Sequence, residues 1–83
     1  MTNSGEMKLK PGSRVVLREV PPGLLDDLPE DAQLAINEVV GKPIQLNEYD
    51  DVGNAELEFI DRNGDFHKIW VEPDFIRAPN DSE

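Results

Sequence analysis

Residues 61–72 have a spacing of polar side chains that could bind a cation. Counting from Asp61, the first, third, fifth, seventh and twelfth positions match those of a calcium-binding EF-hand loop: Asp61, Asn63, Asp65, His67 and Glu72. Such a loop supplies calcium with about six to eight oxygen ligands and requires a glycine at its sixth position. Phe66 stands there, and the glycine falls at the fourth position. We therefore predict a plain hairpin turn and no metal site.

Groups that could act as a nucleophile or a general base are few. His67 is the one histidine, and its place between Phe66 and Lys68 in a strand-like segment predicts a surface or rim residue. The chain has no cysteine, and its serines have no histidine nearby in sequence: Ser4, Ser13 and Ser82. Nucleophilic catalysis needs the nucleophile and its base within hydrogen-bond distance. We predict no catalytic residue of this kind.

Adjacent carboxylates occur three times in the chain: Asp26 and Asp27, Glu30 and Asp31, Asp50 and Asp51. Glycoside hydrolysis needs two carboxyl groups held across a substrate-sized cleft, which a chain of 83 residues seldom builds. Helix capping and solvation explain these pairs. The glycines show neither a phosphate-loop nor a dinucleotide-binding spacing. The sequence therefore predicts a protein that is not an enzyme and has no cofactor.

Charge is distributed unevenly along the chain. The net charge is −10, from 18 acidic and 8 basic residues; residues 1–18 carry +3 and residues 19–83 carry −13. An acidic surface repels phosphate backbones, which proteins bind mainly through lysine and arginine. We predict no nucleic-acid binding and a protein partner, with a basic one favoured by charge. The alternative is that the acidity serves only solubility.

Length and hydropathy place further limits on the protein. At 83 residues there is room for one domain, predicted over residues 10–78 between flexible segments at 1–9 and 79–83. No stretch approaches the roughly 18 apolar residues of a membrane span, and residues 1–10 lack the apolar core of a signal peptide. We predict a cytoplasmic protein without membrane association; its oligomeric state stays open.

One amphipathic helix is predicted over residues 28–40. Its apolar stripe has the helical period: Leu28, Ala32, Ala35, Ile36, Val39 and Val40. Asp27 with Glu30 is predicted to form a capping box, with Pro29 in the first turn. Gly41 is predicted to end the helix, and Leu34 lies off the stripe.

The other elements are predicted to be strands. Residues 14–20 are rich in β-branched side chains, and from residue 43 onward the apolar period changes to two. Predicted strands at 44–49, 55–60 and 66–71 are joined by polar turns, the second of the Asn-Gly type at residues 61–64. Residues 73–77 are predicted to form a short helical turn and a last brief strand.

With this order of elements, residues 10–78 resemble the SH3-like barrels, including small bacterial proteins of this type. The excursion between Val20 and Pro43 lies where such barrels carry their longest loop, and residues 61–64 match their distal hairpin. Residues 72–76, Glu-Pro-Asp-Phe-Ile, resemble the proline-led 3₁₀ turn before their last strand. The resemblance implies a mainly β fold with one helix: a small SH3-like barrel whose α-helix is inserted in the long first loop. Closure would remove exposed strand edges.

The residues with which SH3 domains bind peptides are missing from this chain. Those domains carry an Ala-Leu-Tyr-Asp-Tyr-like segment and a tandem tryptophan, whereas Tyr49 and Trp70 each stand alone here. The resemblance therefore implies the fold without polyproline recognition.

The hairpin predicted from strands 55–60 and 66–71 has apolar side chains on both of its faces. Strand 55–60 alternates apolar residues with Glu56 and Glu58, whereas both faces of strand 66–71 hold large apolar side chains. One of these faces must lie under the helix or be exposed as a binding patch, since one core cannot bury both. We expect the helix to cover it; otherwise Trp70 would be a binding hot spot. The candidate protein-binding residues are Trp70, Phe66, Tyr49, Glu56 and Glu58.

Three functions remain compatible with these features. The first is a non-enzymatic acidic module for protein interaction or an accessory role. The second is a structural or regulatory subunit that works inside a larger assembly. The third is a small-ligand or metal-binding protein that uses residues 61–72.

Overall fold

The computed structural model describes residues 9–79. Its elements, in chain order, are β1 (Arg14–Leu17), α1 (Glu30–Val39), β2 (Pro43–Tyr49), β3 (Ala55–Ile60), β4 (Phe66–Val71), a 3₁₀ turn (Pro73–Phe75) and β5 (Ile76–Arg77). The predicted mainly β fold with one helix is confirmed. The predicted flexible ends, except residues 9 and 79, lie outside the described part of the chain.

The five strands form one antiparallel sheet in the order β4-β3-β2-β1-β5. β4 and β5 lie at opposite edges and do not pair with each other, so the sheet is open and the predicted barrel is not confirmed. β5 has only two residues, and both pair with β1. Helix α1 covers one face of the sheet. It helps to bury the apolar side chains that a closed barrel would enclose.

The core lies between α1 and the inner face of the sheet. Alternate residues of each strand point to this face, and with two helix residues they form one cluster: Val15, Leu17, Ala35, Ile36, Ile44, Leu46, Ala55, Leu57, Phe59, Ile69, Val71 and Ile76. The alternation predicted for strand 55–60 is therefore confirmed.

Helix α1 begins two residues later than predicted. Pro29 is the N-cap residue, with extended backbone and no side-chain capping bond, so the capping box at Asp27 is wrong. The residue before a proline disfavours helical backbone, which keeps Leu28 out of the first turn. Glu30 and Asp31 lie at the positive end of the helix dipole, as expected. No helix in residues 9–79 has the length and apolar character needed to cross a membrane.

Gly41 ends the helix as predicted. Its φ of +86° lies in the left-handed region that glycine adopts without strain. Its N–H donates to the carbonyl of Leu17 at 3.0 Å. The end of α1 is thereby attached to β1.

Candidate functional site

Three large apolar side chains are exposed on the outer face of the β3–β4 hairpin. Ile60, Phe66 and Trp70 are 65%, 55% and 47% exposed, and we call them the outer patch. Ile60 pairs with Phe66, and Trp70 pairs with Glu56. Helix α1 packs on the opposite face, so the expectation that it covers the second apolar face of this hairpin is wrong.

The turn between β3 and β4 decides which face of β4 is buried. A two-residue Asn-Gly turn would pair Leu57 with Trp70 and place Trp70 in the core. The turn instead has three residues, 62–64, with Gly64 at a φ of +87°. The extra residue shifts the pairing by one position and turns every β4 side chain to the other face. Trp70 is exposed for this reason.

Asp61 supports this three-residue turn with both carboxylate oxygens. Oδ1 accepts hydrogen bonds from the backbone N–H groups of Asn63 and Asp65, each at 2.9 Å. Oδ2 lies 2.8 Å from Nε2 of His67, which donates because an ionised carboxylate only accepts. The hydrogen bond from His67, followed by those from the backbone, holds the pKa of Asp61 below its usual value of 3.8.

His67 is more buried than its predicted surface or rim position. Its side chain is 14% exposed and its ring stacks on Phe59, with ring centroids 5.3 Å apart. The two residues are cross-strand partners on the inner face. The one-residue shift that exposes Trp70 also turns His67 inward.

The calcium-loop spacing does not produce a metal site in the described residues. No group of three or more potential ligands (His, Cys, Asp, Glu) occurs in residues 9–79. The carboxylate oxygens of Asp61 accept hydrogen bonds within the turn. Glu72 lies beyond the far end of β4, and the six extended residues of that strand separate it from the turn by roughly 20 Å.

A polar network crosses the outer patch, because the Glu58–Lys68 pair lies between the Ile60–Phe66 pair and Trp70. The Nδ2 group of Asn47 donates to Glu56 Oε2 at 2.9 Å and to Glu58 Oε1 at 2.8 Å. Lys68 Nζ lies 3.5 Å from the same oxygen of Glu56. Glu56 is only 8% exposed, and these partners satisfy its carboxylate. We call Asn47, Glu56, Glu58 and Lys68 the polar network; it holds two acidic groups and one basic group in place beside Trp70.

Tyr49 does not belong to this surface. A bulge in β2 after Leu46 restores Tyr49 to the inner face, where it pairs with Ala55. Its hydroxyl donates to the carbonyl of Leu9 at 2.8 Å, and burial raises its pKa. Of the five candidate residues, the structure brings together Trp70, Phe66, Glu56 and Glu58 and places Tyr49 elsewhere. The alternation of strand 55–60 already placed Ile60 on the face opposite Phe59, but neither Ile60 nor Asn47 was among the candidate binding residues.

A cleft of about 540 Å³ lies between the end of α1 and strands β2 and β3. Ile44 and Phe59 line it, and Arg62 at its rim pairs with Glu38, with Nη2 2.6 Å from Oε2. The lining residues are far apart in sequence, so no local pattern predicted the cleft. The small-ligand function stays a prediction.

The described residues do not bring the candidate nucleophile and base together. Ser13 donates its hydroxyl hydrogen to the carbonyl of Lys10, and His67 is engaged with Asp61. Ser4 and Ser82 lie outside the described residues.

No family model matches this chain, and no curated protein or solved structure is significantly similar to it.

Proposed function

We propose that this protein is a non-enzymatic interaction module whose outer patch binds a basic protein partner. The observation that carries this proposal is the exposure of Trp70 together with Phe66 and Ile60 on one sheet face. Tryptophan is among the residues most often found at binding hot spots, because it buries a large rigid apolar area on contact. Exposed apolar side chains gathered on one surface typify binding surfaces.

The polar network supports this proposal because it prepares the surface for contact. Asn47 and Lys68 hold the buried Glu56, and Asn47 also restrains Glu58, so the partly exposed carboxylate that a partner meets is already held in place. Less side-chain entropy is then lost on binding. Lys68 Nζ also lies 5.8 Å from the centre of the Phe66 ring, a cation–π distance that limits the freedom of both side chains.

Charge supports a basic partner over an acidic one. The chain carries a net charge of −10, and Glu56 and Glu58 outnumber Lys68 beside the patch. Complementary charge speeds encounter and disfavours partners of the same sign. Nucleic acid is disfavoured for the same reason.

We also propose that the fold is related to the SH3-like barrels. Three features support this relation: the strand order β4-β3-β2-β1-β5, the long excursion between β1 and β2 that contains α1, and the 3₁₀ turn directly before β5. Backbone NOE contacts between strands that are not neighbours in this order would contradict the relation.

The interaction is tested with Trp70→Ala and the matched control Leu34→Ala, which shortens an exposed apolar side chain on α1. Proteins retained from a lysate by the wild type are identified and purified, and their affinity is measured by calorimetry. We expect Trp70→Ala to raise Kd by about 30-fold or more, as for a hot spot of about 2 kcal/mol. Leu34→Ala should leave Kd within about twofold.

Wild-type fluorescence supplies a second reading, because Trp70 is the one tryptophan. The proposal predicts a blue shift of its emission and protection from acrylamide when the partner binds. Equal affinity of the wild type and Trp70→Ala, or loss of binding in the Leu34→Ala control alone, would contradict the proposal.

A further inference from the structure

Among residues 9–79, no segment pairs with the outer edge of β4. This strand is the terminal strand of the sheet, and all six of its residues pair with β3 in a continuous register. β5 at the opposite edge has only two residues. Natural proteins usually protect a long edge with a proline, a bulge or a covering segment, because its unpaired backbone groups attract other strands. β4 contains no proline and no register shift. Lysine on an edge strand also discourages pairing, and the one lysine of β4, Lys68, has its ammonium group 3.5 Å from Glu56.

The hydrogen bonds of the hairpin show which backbone groups face this edge. The N–H of Asp61 donates to the carbonyl of Asp65 across the turn at 2.9 Å. Hydrogen-bonded and non-bonded pairs alternate along an antiparallel ladder. The residues of β4 bonded to β3 are therefore His67, Ile69 and Val71. The N–H and C=O groups that point to the free edge belong to the other three: Phe66, Lys68 and Trp70.

The same three residues carry the exposed side chains of β4. Phe66 and Trp70 form most of the outer patch, and Lys68 belongs to the polar network. A strand added at this edge would bond to their backbone groups and place alternate side chains beside their rings. Unpaired backbone and exposed aromatic surface thus coincide at one edge.

We propose that this edge binds an extended segment of the basic partner as a sixth strand of the sheet. The inference rests on the proposed function and gives its binding mode. Exposed acidic residues lie just beyond both ends of β4, Asp65 and Glu72, so basic residues are expected at both ends of the bound segment and apolar β-branched residues in its centre. A second copy of this chain is disfavoured because each copy carries a net charge of −10.

The probe is a blocked peptide, Lys-Lys-Thr-Val-Thr-Val-Thr-Lys-Lys. Its controls replace all lysines by glutamate, or the central threonine by proline. We expect the basic peptide to bind at least about tenfold more tightly than either control, because one lacks charge complementarity and the other cannot pair as a strand.

Amide hydrogen exchange of the wild type measures the binding mode directly. In the free protein the amides of His67, Ile69 and Val71 should exchange slowly, and those of Phe66, Lys68 and Trp70 quickly. Saturating basic peptide should slow exchange at these last three residues by about tenfold or more. Binding without this protection, or no binding at all, would contradict strand addition.

The paired variants Lys68→Pro and Lys68→Ala isolate the backbone contribution. Both lose the lysine side chain and its contact with Glu56, but only proline removes the edge-facing N–H. A proline is tolerated on an edge strand where the N–H faces solvent. We expect Lys68→Pro to bind the peptide at least about tenfold more weakly than Lys68→Ala.

The two proposals fail in different ways. If Trp70 is needed for partner binding but Lys68→Pro binds as well as Lys68→Ala, strand addition is wrong and the patch proposal survives. If Lys68→Ala, Lys68→Pro and Trp70→Ala all bind the partner like the wild type, both are wrong. If Lys68→Pro does not fold, the exchange pattern of the wild type decides.

Discussion

At the residue scale, Asp61 connects the local turn to the exposed surface. Its carboxylate accepts two backbone N–H groups and the His67 ring, and these bonds stabilise a three-residue turn over a two-residue one. The longer turn sets the β3–β4 register, which turns Trp70 outward. A side chain outside the patch thus determines which residues form it.

The lowered pKa of Asp61 predicts how the free energy of unfolding depends on pH. The folded pKa is lowered from 3.8, so folding favours the ionised form. The resulting stabilisation is complete above about pH 5 and is lost progressively as the pH falls through 3.8 and then through the folded pKa. We expect Asp61→Asn to be less stable than the wild type at neutral pH, and the difference to shrink as the pH falls below about 5.

Urea unfolding at a series of pH values measures this difference. Asp51→Asn removes an exposed carboxylate in the turn at the other end of β3, which makes no side-chain hydrogen bond among residues 9–79, and it serves as the control. A difference between wild type and Asp61→Asn that stays constant across this pH range would show that the ionised carboxylate is not what the turn needs.

At the element scale, helix α1 stabilises the sheet by covering its inner face. Its contribution to the core cluster is small in residue number: Ala35 and Ile36 are its buried residues. Leu28 and Val39 pack at the margin of this cluster. Most of the predicted stripe therefore lies at the edge of the core rather than inside it.

Substitutions on α1 should therefore differ sharply in their effect. Ile36→Ala removes a fully buried side chain and should lower the free energy of unfolding by about 2–5 kcal/mol. Leu34→Ala, on the exposed face of the same helix, should change it by less than about 0.5 kcal/mol. Urea unfolding of the two variants measures both values, and equal destabilisation would mean that α1 does not pack as described.

The boundaries of α1 show where sequence patterns stop being informative. The apolar period predicted the helix correctly, because i, i+3 and i+4 neighbours share a face in any α-helix. It did not predict the start, since both Asp27 and Pro29 are typical of a helix N-terminus. The turns formed by residues 22–27 place Asp27 outside the helix.

At the scale of the whole molecule, net charge opposes both compaction and self-association. Like charges across the surface repel one another, and salt screens them: the Debye length falls from roughly 30 Å at 0.01 M to roughly 3 Å at 1 M. The repulsion also keeps free β4 edges of different copies apart. Stability and self-association should therefore both respond to ionic strength.

We expect sodium chloride, raised over that range, to increase the midpoint of thermal unfolding. Asp51→Lys reduces the net negative charge by two units and should make the salt dependence shallower. Lys10→Glu increases it by two units and should make the dependence steeper. Calorimetry on the three proteins tests this, and identical salt dependence would indicate that net charge does not limit stability.

The sequence alone determined the local elements of this protein. The helical stripe, the alternation in β3 and the position of the turn at residues 61–64 each depend on side chains only a few positions apart, and each was predicted. The Asn-Gly type predicted for that turn was wrong, because the turn has three residues. The polar network and the cleft were not, because Asn47 meets Glu56 and Glu58 only through the β2–β3 register.

Only the tertiary structure decided whether the second apolar face of the hairpin was buried or exposed. Both faces of β4 carry large apolar residues, so hydrophobicity alone could not choose between them. One additional residue in the turn made the choice, because side chains alternate along a strand and a shift of one position reverses their direction. Helix α1 covers the face that β1, β2 and β3 line with apolar side chains, and Trp70 lies on the other face, exposed to solvent.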